Sequence, residues 1–512
     1  MPEFRELMAG QLGIWYAQQL APENPAYNIA EYLDIRGELD VELLVEALWR
    51  MVDETDGFRV RFREIDGVPM QYVDDTRDYA IHHVDVSGEP DPEAAAERWM
   101  RSDVGRGGDL CAGWLFTFAA ITLAPDRHFL YQRSHHIVMD GHGGAMAAAR
   151  TAEIYTALLE GRPRVGGERE SVHALFDAER AYRDSADYAR DRDYWQSALS
   201  DLPEPSQPGG AGHPGHSARS LPNPPEWHFA GIDPEQAAAL KTAARRMGTS
   251  LAGLMISAAA VYMHCLTGDR DVVIGVAVLG RAGPRERAIP GMKANLAPIR
   301  VTMGPGTPIQ DVVRQTARAV RDGLRHQRYR YEEILRDLKL VNREALCPLE
   351  VNFVSFDYPV RFGECAAVQH NLSTGPINGT RISVYASSGE DIDFKIDANR
   401  DSAGVAPAAD ISRRFRNIVR WLATASPADT VSQAGLLDPE ERRRVLTGWN
   451  DTVVGLPGAS VVELFEARAA VVPGAVAVVC DGVVVSFGEL EGRANRLARY
   501  LVAQGVGRES VV

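Results

Sequence analysis

The sequence predicts a mixed α/β protein, built as two halves of similar size with the opening segment of a third unit behind them. Three observations predict it. Helical and strand-like periodicities follow one another without the strict alternation and short loops of a doubly wound sheet. A Pro/Gly-rich stretch without periodicity interrupts the chain between Leu202 and Trp227. The texture changes again at Leu437, where a charged helix leads into a turn. The expected boundaries are 1–200 for the first half, 201–227 for a linker, 228–432 for the second half, 433–458 for a second linker and 459–512 for the partial third unit.

The elements follow in order. Strand-like runs fall at 27–36, 114–122 and 128–134, and amphipathic helices at 41–53 and 92–104. In the second half, Asp233-Pro234-Glu235 is a helix start: a cap, a proline in the first turn, then an acid near the positive end of the dipole. The stretch 249–268 carries no charge over about a membrane's span. Its apolar residues are mostly Ala, and Ser250, Ser257, His264 and Thr267 interrupt them, so it reads as a buried core helix. Strands are expected at 271–277, 296–301, 350–356, 381–385 and 391–396, with helices at 308–325 and 411–423. In the tail, Asp481-Gly482 between two apolar runs signals a hairpin, followed by an amphipathic helix at 488–504.

Composition narrows the function. The chain has 512 residues, with 55 Lys+Arg against 70 Asp+Glu and a formal charge of −15, which opposes nonspecific nucleic-acid binding. Five scattered cysteines without a C-x-x-C pair argue against a disulfide framework or a structural zinc site. The N-terminus has neither the basic nor the apolar region of a signal peptide, so the expectation is a cytoplasmic protein with no membrane partner. A G-x-G-x-x-G at 210–215 lies in the Pro/Gly-rich stretch, with no strand before it and no helix after, and fails as a dinucleotide site.

The segment His135-His136-Ile-Val-Met-Asp140-Gly141 carries the chemistry. A strand runs into two histidines, then into a short loop with an aspartate and glycines, then into a helix. Neighbours on a strand face opposite sides, so one histidine serves a pocket while the other packs. A histidine near pKa 6.5 suits proton transfer at neutral pH. The glycines and the helix start would aim N–H groups at the same spot, where a developing oxyanion needs them. On residue types alone two alternatives stay open: metal ligation by His136, Asp140 and His142, or a purely structural histidine pair.

His135-His136-x-x-x-Asp140-Gly141 resembles the HHxxxDG signature of nonribosomal peptide synthetase condensation domains, of the chloramphenicol acetyltransferase-like superfamily. Further segments resemble the family's motifs in order. They are Ala9-Gly10-Gln11 with Trp15-Tyr16, Tyr27-Asn28, Phe58 to Phe62, Tyr182 through Trp195, Ile274-Gly275 with Arg281, Pro290-Gly291 with Asn295, His326-Gln327 with Tyr329, and Pro348-Leu349 with Asn352-Phe353. Ala277 stands where the family usually has proline. Tyr131-Gln132-Arg133, Arg325 to Tyr329, Phe356-Asp357-Tyr358 and Thr374-Gly375-Pro376 resemble the members that accept an aryl acid from a separate carrier protein. Val485 to Leu490 is similar to the first core motif of adenylation domains, and Trp449 to Thr452 to the usual linker before one.

The resemblance implies two acetyltransferase-like lobes in a V-shaped pseudo-dimer, followed by a partial adenylation domain. It implies amide formation between a carrier-bound acyl thioester and the α-amine of a carrier-bound aminoacyl thioester. The implied catalytic residues are His136, as base or amine orienter, with His135 and Gly141, while Asp140 is ion-paired to Arg281 in a structural role. Trp15, Tyr27, Asn28, Asn295, Thr374, Gly375 and Pro376 are the implied tunnel residues. No resident cofactor or metal is implied. Substrates arrive on the phosphopantetheine of a donor carrier in trans and of a downstream acceptor carrier, with an adenylation domain in cis. A noncatalytic carrier-recruitment domain and an epimerising relative of the same fold are the rival readings.

Overall fold

A computed structural model describes residues 3–162, 170–203, 225–340, 346–354, 360–386, 392–402, 405–455 and 458–512. The glycine-rich segment 210–215, most of the first expected linker and Phe356 to Tyr358 lie outside them. The chain divides into two units, Met1–Asp438 and Pro439–Val512.

The larger unit is built on two six-stranded mixed sheets. The first runs in the order Arg361–Phe362, Cys365–Thr374, Asn28–Arg36, Arg127–His135, Phe116–Ala124, Ile81–Asp85. Only its last pair is parallel. The second runs Asn295–Thr302, Asp271–Val278, Leu349–Val354, Thr380–Ala386, Ile392–Ala398, Glu226–Ile232. Each sheet has its own core. In the first, helices Val41–Glu54 and Gly141–Leu159 bury Leu44, Leu48, Met51, Ala148 and Tyr155. In the second, helix Leu251–Thr267 is almost wholly buried among Ile274, Ile382 and Phe415. Its burial within protein explains its uncharged sequence. Among the described residues no single helix is long and apolar enough to cross a membrane.

Helix ends follow local chemistry. Asp40, Asp91, Asp233 and Ser250 each accept a backbone N–H of the first turn, removing one unsatisfied donor apiece. Helix Leu251–Thr267 ends on Gly268 at φ +79°, a left-handed cap that costs glycine nothing.

One strand corrects the expected boundaries. Cys365–Thr374, from the second half of the sequence, pairs antiparallel with Asn28–Arg36 in the first sheet, so 228–432 is not a self-contained lobe. The division after Asp438 also falls inside the expected 433–458 linker. The smaller unit has helix Val461–Val471, then hairpin Val476–Cys480 and Val483–Ser486. Asp481 and Gly482 both have positive φ at its turn. Helix Phe487–Ala503 follows, with a capping box between Ser486 and Glu489.

Candidate active site between the two sheets

Strand Arg127–His135 ends level with Asn28 on its neighbour, and there the two histidines part. The His135 N–H donates to Leu115 O at 2.7 Å and the His136 N–H to Tyr27 O at 2.8 Å. His135 is buried. Its Nδ1 accepts the Ile137 N–H at 3.3 Å and its Nε2 faces Gln18 Oε1 at 3.3 Å. An acceptor role at Nδ1 requires the neutral ring. Burial, and then the neighbouring His136 and Arg133, push its pKa down to about 3. His135 is therefore a packing residue, which corrects its expected place among the catalytic residues: both ring nitrogens are engaged within the protein and the ring does not line the cavity.

His136 points the other way, into a cavity of about 1370 Å³ between the sheets. Burial lowers its pKa; Asp140 opposes that shift, and the guanidiniums of Arg381 and Arg330 reinforce it. The ring is neutral at pH 7 and able to accept a proton. Gly375, at φ +87°, lies against it: a Cβ there would sit 3.0 Å from His136 Cδ2.

Asp140 caps helix Gly141–Leu159. Its Oδ1 accepts the Gly143 N–H at 2.9 Å, and its Oδ2 accepts the N–H groups of Lys293 and Ala294 at 2.9 and 3.0 Å. Arg281 completes the set, with Nη1 2.7 Å from Oδ2 and Nη2 3.3 Å from Oδ1. Burial alone would raise the Asp140 pKa, but Arg281 and the backbone donors outweigh it and hold the carboxyl below its usual range. Both oxygens are committed to N–H donors. Neither a base role nor metal ligation is left for Asp140, and the His136–Asp140–His142 ligand set loses its carboxylate. Gly141, at the helix start, has open space where a Cβ would be, so the backbone meets the cavity directly.

Of the expected tunnel residues, Tyr27, Asn295, Thr374 and Pro376 line the cavity, and Gly375 abuts His136. The Asn295 amide donates to the carbonyls of Gln327 and Tyr329, both at 2.8 Å, and so also ties chain segments together. Two expectations are corrected. Trp15 is buried in the first core, its ring 6.0 Å from Phe62 of strand Val60–Ile65, and does not line the cavity. Asn28 turns from the cavity and donates to Val104 O at 2.9 Å and Arg106 O at 2.8 Å, securing the end of helix Pro92–Val104.

Sequence reasoning missed Arg381, which stands at the cavity wall. It donates to Thr374 O and Pro376 O, each at 2.9 Å, and its Nε to Glu350 at 2.9 Å. It thereby fixes the turn that presses Gly375 onto His136. No spacing signal would have found it, since the contact joins strand Thr380–Ala386 to the crossover before it.

A neutral histidine in a cavity between two sheets, a helix start open to the same space and an aspartate locked in the wall define an acyl-transfer centre without a nucleophile's elbow. The chain matches the family described as "Condensation domain" over residues 3–446. It is 37% identical over 521 residues to the dimodular nonribosomal peptide synthase of Bacillus subtilis (strain 168), covering all of this chain and 22% of that protein. It is 26% identical over 509 residues to enterobactin synthase component F of Escherichia coli (strain K12), covering 99% of this chain and 39% of that one. Among solved structures, a starter condensation domain of rhizomide synthetase with C8-CoA and Leu-SNAC superposes with a TM-score of 0.77. That pair is 33% identical, over 85% of this chain and 98% of that one. The chain belongs to the condensation domain family of nonribosomal peptide synthetases, acyltransferases that form amide bonds. It spans between a fifth and two fifths of the length of these two curated relatives.

Proposed function

We propose that His136 serves the condensation of a carrier-bound acyl thioester, aryl in the first instance, with the α-amine of a carrier-bound aminoacyl thioester. The single observation that carries this reading is the neutral His136 facing the cavity between the sheets. The amine nitrogen attacks the thioester carbonyl carbon and its proton passes to His136. The tetrahedral intermediate then collapses, the C–S bond breaks, and the leaving thiolate takes the proton back. An α-ammonium near pKa 8 is already partly deprotonated at pH 7, so the weakly basic His136 acts chiefly by orienting the amine and receiving its proton late. The start of helix Gly141–Leu159 supplies positive potential on the same side. No covalent acyl-enzyme is needed.

The cavity would take the phosphopantetheine arms of two carriers, one delivering the donor in trans and one the acceptor. Val485 to Leu490 supports an adenylation domain in cis, and the work belongs in the cytoplasm, within siderophore or antibiotic biosynthesis. The siderophore arm rests on the likeness to enterobactin synthase component F. A reconstituted assay with both loaded carriers tests the central step. His136→Ala is expected to abolish amide product, and an undiminished yield from that variant overturns the assignment.

A further inference from the structure

From His136 the cavity runs along the first sheet into a compartment with a polar wall. The strand Asn28–Arg36 begins level with His135, next to His136, and Glu31 lies three residues further along it, about 10 Å at the rise of an extended chain. Glu31 is paired in register with Gln132 on one side and Asn371 on the other, and Gln369 stands diagonally beside it; all four line the cavity. Gln132 Nε2 donates to the Glu31 carboxylate and to Gly144 O, and Gln369 Nε2 donates to Glu31.

These partners accept only, so the orientation of both amides is forced: turned over, each would set oxygen against oxygen. With their N–H groups held on Glu31, the two glutamines leave carbonyl oxygens beside its carboxylate. Lys395 Nζ donates to Asn371 Oδ1 at 3.2 Å and occupies one of these acceptors. The Glu31 carboxylate and the two glutamine carbonyls still make the first-sheet side of the wall favour donors from whatever fills the space. From the second sheet, Tyr385 closes the compartment. Its phenol is kept protonated by burial and by the charges of Asp397 and Glu31. Gly144 leaves room above the carboxylate, since even a Cβ there would come within 3.9 Å of Glu31 Oε1. A hydrocarbon chain would strip water from this wall and return no hydrogen bond, which is unfavourable for any buried polar group and most of all for a carboxylate.

We propose that this compartment holds the far end of the acyl donor and selects acyl groups bearing hydroxyl or amino hydrogen-bond donors over hydrocarbon ones, with Glu31 the specificity-determining residue. The proposal rests on the condensation reading above. Its chemistry is shared by hydroxylated aryl acids and by hydroxylated linear acids, and matched pairs distinguish the two sources.

The test measures binding by calorimetry, using unreactive amide analogues of acyl-pantetheine on the whole chain. The pairs are 3-hydroxybenzoyl against 3-methylbenzoyl, and 8-hydroxyoctanoyl against nonanoyl. The hydroxylated member of at least one pair is expected to bind at least about tenfold tighter, because a site built to hydrogen-bond a hydroxyl rejects the analogue lacking it. Preference in the aryl pair assigns an aryl donor, and preference in the linear pair a hydroxyacyl donor. Glu31→Leu should erase the preference. Should that variant fail to fold, the isosteric Glu31→Gln should cut it at least about threefold. Equal binding within both pairs, or a preference that survives these substitutions, overturns the proposal. Amide formation without donor preference would refute this inference alone. A preference intact in a chain that forms no amide would refute the condensation reading and leave the compartment standing.

Discussion

Asp140 and Arg281, 141 positions apart, meet as a two-pronged ion pair in which neither side chain is more than 1% exposed. The pair ties the helix start beside His136 to the second half of the sequence. The same carboxylate also takes backbone N–H groups from Lys293 and Ala294.

Removing one partner strands the other charge in a dry site, at a cost of about 3–5 kcal/mol. Arg281→Ala and Asp140→Ala are each expected to lose about that much in urea denaturation. Asp140→Asn is expected to keep part of the hydrogen bonding and so to lose less. Unchanged midpoints for the alanine variants would contradict the structural role.

His135 couples the fold to pH. Its pKa is about 3 in the folded state against about 6.5 unfolded. The contribution is whole above 6.5 and drains as pH falls from there toward 3, because only the unfolded chain takes the proton. The expected slope is about 1.4 kcal/mol per pH unit for this one group, with His136 shifted in the same direction. Urea midpoints between pH 7 and 5 should fall less steeply for His135→Gln than for the parent chain.

Arg381 lowers the His136 pKa and anchors the turn at Gly375. Replacing it by Gln removes the charge, so His136 should protonate at a higher pH and the acid limb of the rate profile should move up. Replacing it by Lys keeps the charge but cannot reach both carbonyls and Glu350 at once. Arg381→Lys is therefore expected to hold the acid limb and lose about tenfold or more in kcat. Identical pH profiles for the Gln variant and the parent would exclude the electrostatic part.

Gly375 has little freedom to change. Its φ of +87° disfavours any side chain, and a Cβ would crowd His136 Cδ2 at 3.0 Å. Gly375→Ala is expected to destabilise by about 1–2 kcal/mol and to depress kcat more than KM, since the imidazole must move. Steady-state kinetics beside a denaturation curve would separate the two effects.

The sequence carried the chemistry of the centre well because it sits in one short segment. A strand that ends in two histidines divides their faces whatever the tertiary fold, and the structure keeps that division between His135 and His136. Arg281 was reachable only through the family likeness, since no local rule links it to Asp140. Trp15 and Asn28 were misplaced because nearness to a motif does not say which way a side chain turns. The crossover strand Cys365–Thr374 escaped notice for a physical reason. Gln369, Asn371 and Ser373 face the cavity, so the inward side lacks the apolar alternation that marks a strand. Hairpin Val60–Ile65 and Val68–Val73 was also missed, although Asp66-Gly67 with positive φ at both positions is a turn legible from residue types.

That crossover strand also sets a schedule. Strand Asn28–Arg36 is an inner strand of its sheet only because Cys365–Thr374 lies beside it. As the chain leaves the ribosome, the first sheet stays open along that edge until Thr374 has been made. Over the intervening synthesis it offers a row of bare amides and carbonyls to any extended segment that comes near. Chaperone occupancy of this edge should be greatest for nascent chains that stop short of Cys365, and separately expressed halves should each be insoluble yet recover when mixed.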